Sequence, residues 1–183
     1  TIDVHGQENI PKQDGFMFFP NHQGLYDVLA IVEACTHPFS VVAKKEVENV
    51  PFLKQVFKIM KAFMIDREDV RQAMKTITSV TKEVVSGRNY LIFPEGTRSK
   101  NGNNVGSFKG GSFKAATKAK CPIIPVALVD SFKPFDTNST RPVTVQVHFL
   151  KPMLYEDYKD MKTTEIAELV KSMIVKTIEE KLS

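Results

Sequence analysis

The chain has 183 residues, 42% hydrophobic and 25% charged, which suits one compact α/β domain and excludes disordered and fibrous classes. Its formal charge of +4 and pI near 9.0 favour phosphates, anionic lipid headgroups or an acidic carrier protein. No basic stripe interleaved with aromatics is present, so nucleic acid is not expected as a partner.

Taken in chain order, Gly15 to Phe19 (GFMFF), closed by Pro20, reads as a buried strand. Gly24 to Cys35 is predicted helical, with Leu25, Val28, Leu29 and Val32 on one stripe. Phe39 to Ala43 reads as a second strand. After Pro51, a good first-turn residue, Phe52 to Met60 places Phe52, Leu53, Val56, Phe57 and Met60 at helical spacing. Ala62 to Ile65 is a brief strand. The clearest helix carries Val70, Met74, Ile77, Val80, Val84 and Val85, with Asp66 as its expected cap and Gly87 at its expected stop. Tyr90 to Phe93 is a strand closed by Pro94. Ser107 to Ala119 is predicted helical in its second half, and Ile123 to Val129 and Val143 to Leu150 are strands. A last amphipathic helix bears Ile166, Leu169, Val170, Met173, Ile174 and Ile178.

Short apolar strands alternating with amphipathic helices predict a mostly parallel central sheet flanked by helices on both faces. With no repeat or low-complexity linker, residues 1–183 are expected to form a single domain. Ligands of such sheets bind outside the carboxyl ends of the strands. No run of about twenty apolar residues spans a bilayer, and no signal peptide opens the chain. The start at Thr1 is what removal of an N-terminal piece would leave. Cys35 and Cys121 stand far apart without a Cys-x-x-Cys pair, which speaks against a disulfide scaffold and fits a reducing cytoplasmic compartment. Cys35 and His37 lack two further ligands nearby, so no metal is expected there.

Two constellations follow predicted strands. In Asn21-His22-Gln23-Gly24-Leu25-Tyr26-Asp27, residues five apart on a continuous helix would diverge by about 140°. A strand-to-helix turn at Gly24 is needed for His22 to meet Asp27. If they meet, the carboxylate fixes the tautomer and stabilises the imidazolium; the alternative is a His and an Asp that merely cap a helix. In Phe93-Pro94-Glu95-Gly96-Thr97-Arg98-Ser99, an Arg and backbone amides near Gly96 suit a phosphate. The alternative is a surface turn in which Glu95 pairs with Arg98. Lys44-Lys45 and Asp66-Arg67 close two further strands, either as solvated ends or as parts of one basic edge.

The sequence resembles the glycerolipid acyltransferases, most closely the 1-acylglycerol-3-phosphate (lysophosphatidate) acyltransferases. NHQGLYD is similar to the family's Asn-His-x4-Asp block. AKKEVENVPFLKQVFKIMKAFMIDR resembles its second, FPEGTRS its third and CPIIPVAL its fourth. The blocks come in the family's order over a motif core of about 15–129. The resemblance implies His22 as general base and Asp27 as its orienting partner. It implies Glu95, Gly96, Thr97 and Arg98 at the acceptor, with Lys44 and Arg67 near the phosphate. Gly24 stands where many members carry Ser, and the second block lacks the Gly often found after its Pro; both bear on substrate preference.

The implied reaction is acyl transfer from an acyl thioester (acyl carrier protein or acyl-CoA) to a lysophospholipid hydroxyl, giving phosphatidate. No cofactor is needed. No Gly-x-Ser-x-Gly elbow is present, so direct transfer is simpler than an acyl-enzyme. Alternatives are acylation of glycerol 3-phosphate or another lysophospholipid, a non-catalytic lipid-headgroup-binding module, and a thioesterase. Lipid substrates imply a peripheral position on the cytoplasmic side of the membrane. Phe52, Val56, Phe57 and Met60 beside Lys54, Lys58 and Lys61 form a candidate interfacial helix, although a core role for its apolar side is preferred.

Overall fold

The computed structural model of the chain describes residues 1–45, 51–66, 69–137 and 141–183, the side chains of 51–53 excepted. Seven strands among them form one sheet: β1 (Ile2–His5), β2 (Met17–Pro20), β3 (Phe39–Lys44), β4 (Phe63–Ile65), β5 (Asn89–Ile92), β6 (Ile123–Val129) and β7 (Val145–Phe149). Their order across the sheet is β1-β7-β6-β2-β5-β3-β4. The five strands from β6 to β4 run parallel. β7 turns back antiparallel on β6, and β1 runs parallel to β7 at the edge. Every residue of β2, β5 and β6 is buried, as unbroken apolar runs require when helices cover both faces.

On one face, α3 (Val70–Val85), α4 (Lys114–Ala119) and α7 (Thr163–Leu182) enclose Met17, Phe19, Tyr90, Val80 and Ile174. On the other, α1 (Asp27–Ala34) and α2 (Pro51–Ile59) cover Phe16, Phe18, Leu91 and Ile31. Two short helices, α5 (Lys133–Asp136) and α6 (Tyr155–Tyr158), follow β6 and β7. The largely parallel, doubly covered sheet expected from the sequence is therefore present. No described helix is long and apolar enough to cross a membrane.

Several local expectations need correction. β1 was not anticipated; its four residues alternate and are only half buried, too short a pattern to stand out. α1 starts at Asp27 rather than Gly24 and buries Asp27, Ala30, Ile31 and Ala34. Leu25 and Val32 stay exposed, because a buried carboxylate, not a leucine, opens the inner face. The cap of α3 is Asp69, whose side chain accepts from the Gln72 amide at 3.0 Å; Asp66 instead accepts the Asp69 amide at 3.4 Å. Val70, Met74 and Val85 lie outside the buried face of Thr76, Val80 and Val84. The stop at Gly87 holds: its φ is +93°, its amide donates to Val84, and Arg88 donates to Glu83. That is the paired closure of a left-handed helix end.

The fold positions a site by its connections. The chain leaves β2 towards β3 on one side, while β5 crosses to β6 on the other. The strand order thus reverses beside β2, and in such sheets ligands bind at that reversal, outside the carboxyl ends of the strands.

Candidate active site

β2 ends at Pro20, and the next residues fold across that end of the sheet. Asn21 is buried and locks to β6 through both amide atoms: its Nδ2 donates to the Leu128 carbonyl at 3.1 Å and its Oδ1 accepts the Leu128 amide at 2.8 Å. The chain then turns through His22 to Gly24 before α1 begins. Across this bend His22 Nδ1 meets Asp27 Oδ2 at 2.7 Å. Asp27 is fully buried and also accepts the amides of Gln23 at 2.7 Å and Gly24 at 3.1 Å. Its other oxygen accepts the Ser131 hydroxyl. A buried carboxylate with this many donors remains an acceptor and holds its partner ring still.

The Phe93–Ser99 turn meets the same loop. Glu95 is 5% exposed and binds two backbone amides, His22 at 2.8 Å through Oε1 and Gly106 at 2.9 Å through Oε2. Burial pushes its carboxyl above the ordinary value, and the two amides offset only part of that rise. The Ser99 amide donates to the His22 carbonyl at 2.7 Å. The Phe93 ring stacks on the imidazole, centroids 3.9 Å apart and planes 20° apart. Thus the turn grips both ends of the His22 peptide and one face of its ring. Gly96 adopts φ +78°, a left-handed conformation that glycine enters without strain.

Arg98 and Glu95, paired in one sequence reading, are apart. Arg98 Nη1 instead donates to Asp136 Oδ1 in α5 at 3.2 Å, and the Leu25 amide donates to the other Asp136 oxygen at 3.3 Å. A Cβ on Gly24 would lie 2.3 Å from that oxygen and 3.0 Å from the Phe132 Cα. The bare glycine therefore admits Asp136 to this position. Thr97 and Arg98 are exposed. Lys44 closes β3 at the same sheet edge and is exposed, while Lys45 pairs with Asp66 at 3.6 Å. Arg67 lies outside the described residues.

The turn thus brings His22, Asp27 and Glu95 together, with Arg98 at the rim. Asn21, Gln23, Asn103, Ser131 and Asp136 complete the surroundings and were given no role from sequence. Asn21 and Gln23 sit inside the NHQGLYD block, so adjacency to His22 was a usable signal. Ser131 is 104 residues from Asp27 and Asn103 is 80 from Gln23, beyond any local pattern. With Nδ1 committed to Asp27, Nε2 is the ring nitrogen left to take a proton. Among the described residues no group of three or more His, Cys, Asp or Glu side chains converges as for a metal ion.

A family model described as Acyltransferase matches residues 1–129. The chain is similar to a 1-acyl-sn-glycerol-3-phosphate acyltransferase of Borreliella burgdorferi, 31% identical over 182 residues, which are 97% of this chain and 72% of that protein. It is also similar to proteins of the same name from Saccharomyces cerevisiae, 30% identical over 98% of this chain and 60% of the other, and from Escherichia coli, 31% identical over 90% and 67%. The chain spans part of the length of each. Among solved structures, the crystal structure of the 1-acyl-sn-glycerophosphate acyltransferase from Thermotoga maritima superposes with a TM-score of 0.83 at 24% identity, covering 100% of this chain and 72% of that one. At that identity the likeness speaks for the fold alone.

Proposed function

The chain belongs to the Acyltransferase family, and from that premise we propose that it moves a fatty acyl group from a thioester to the free hydroxyl of 1-acylglycerol 3-phosphate, giving phosphatidate. The relatives' shared name supports the acceptor. The observation that carries the chemistry is the 2.7 Å contact of His22 with a fully buried Asp27.

His22 Nε2 takes the hydroxyl proton as the oxygen attacks the thioester carbonyl. The new C–O bond forms, the C–S bond breaks, and the imidazolium returns its proton to the departing thiolate. Asp27 keeps Nδ1 protonated and stabilises the transient imidazolium. Arg98, with Lys44, Arg67 and the Gly96–Thr97 backbone, holds the acceptor phosphate. Glu95 contributes by pinning the His22 amide. A positioned base supplies about 10²–10⁴-fold, and the rest comes from alignment of the gripped acceptor.

The thioester is carried by acyl carrier protein or coenzyme A, either of which suits a basic chain. Binding is peripheral, on the cytoplasmic side of a membrane. The exposed Lys54, Lys58 and Ile59 of α2 support that contact, whereas Phe57 is turned into the core.

The test is turnover of purified protein on lysophosphatidate and on glycerol 3-phosphate, each with both donors. Lysophosphatidate is expected to be the better acceptor; preference for glycerol 3-phosphate overturns that assignment. Full activity of folded His22→Ala overturns the base. Arg98→Ala is expected to raise the acceptor KM with kcat little changed; a large loss of kcat with acceptor affinity intact contradicts a gripping role.

A further inference from the structure

We propose that Ser131 is a positioning residue for acyl transfer, acting through Asp27 to aim the His22 ring; this rests on His22 being the base. Ser131 is fully buried, two residues beyond β6. The chain is swung there by Asp130, which has φ +62°, a left-handed conformation that Asp tolerates better than most residues.

Its surroundings leave the hydroxyl one destination. The Ser131 amide donates to Gln23 Oε1 at 2.9 Å. Gln23 Nε2 is in turn committed to Asn103 Oδ1 at 2.8 Å, so the amide face that meets Ser131 is the oxygen. Asn103 is held by a reciprocal pair with Asp130: its Oδ1 accepts the Asp130 amide and its Nδ2 donates to Asp130 Oδ1, each at 2.9 Å. The hydroxyl has one proton and two oxygens in reach, Gln23 Oε1 at 3.1 Å and the nearer Asp27 Oδ1. The charged acceptor takes it, since bonds to an ionised oxygen are about twice as strong.

The Asp27 oxygens are served unequally. Oδ2 receives His22 Nδ1 and the Gln23 amide, both at 2.7 Å. The Gly24 amide is split between the two oxygens at 3.1 Å. Ser131 is thus the one unshared donor to Oδ1 among the described residues. Without it the carboxylate can rotate about Cβ–Cγ, and Oδ2 drifts from the line of Nδ1. The ring then loses the tilt and the tautomer that leave Nε2 open to the acceptor.

The test is a double-mutant cycle on acyl transfer to lysophosphatidate. Ser131→Ala is expected to lower kcat, taken per folded molecule, about tenfold with KM for donor and acceptor unchanged. In the His22→Ala background the same change is expected to alter residual kcat less than about twofold, because its path of action is gone. An unchanged kcat for Ser131→Ala, or a tenfold drop that persists without the imidazole, overturns the proposal while leaving the base intact. Full turnover by His22→Ala removes the base itself and the proposal with it. Should Ser131→Ala not fold, Ser131→Cys, near in size and a weak donor, takes its place with the same expectations.

Discussion

The four histidines of this chain occupy three kinds of setting. His5, His22 and His37 each lie 2.7–2.9 Å from an aspartate. By distance alone they are the same dyad three times over. Their acids are not: the side chain of Asp3 is 54% exposed, that of Asp14 44% and that of Asp27 0%. Only Asp27 combines burial with two backbone amides and a hydroxyl. Its orientation is set before any ligand arrives, whereas an exposed pair trades partners with water and contributes little. His148 is the opposite case, buried with no carboxylate on its ring and Nε2 against Gln146 at 2.9 Å. What sets the His22 pair apart from the other two is thus the immobility of its acid, more than its nearness.

The sharpest way to break this comparison is a matched pair of substitutions. Asp27→Asn is expected to lower kcat about 10²-fold or more, while Asp14→Asn, in the equally close pair with His37, leaves turnover unchanged. Equal losses would refute the distinction. Glu95→Gln is next. An amide nitrogen would then face the N–H of either His22 or Gly106, leaving a buried donor unpaired at a cost of about 1–3 kcal/mol. A lower Tm and lower kcat are expected together. Gly24→Ser tests the outer wall: the new side chain displaces Asp136 and costs about 1 kcal/mol, read as a fall in Tm. The smallest effect is silent at pH 7. Burial, helped by the charges of His5 and Lys181 and opposed by Asp3, pushes the His148 ring down to about 4 from an ordinary 6.5. Between those values the unfolded chain binds the proton and the folded one refuses it, so stability falls as pH drops through that window. His148→Gln is expected to flatten Tm between pH 6.5 and 4 without changing turnover.

Most of the strands and the His22 bend were legible because their causes are local. Runs such as IIPVALV can only be buried, and Gly87 marks a helix end by its conformational freedom. Errors arose where a long-range partner decided the outcome. Asp27 sits on the inner face of α1 because Ser131 satisfies it, which periodicity of apolar residues cannot reveal. Arg98 turns to Asp136 rather than its neighbour Glu95, since Glu95 is already spent on two backbone amides. β1 exists because β7 offers it an edge, not because Ile2–His5 is a strong strand former.

The Glu95 carboxylate ties the His22 amide to the Gly106 amide, eighty-four positions apart by number. Neither amide can exchange its hydrogen with solvent until that one group lets go. Release of that carboxylate therefore frees both the loop that bears the imidazole and the loop that follows the Phe93–Ser99 turn. Their two protons should report equal protection against deuterium, a clock for how often the site comes apart.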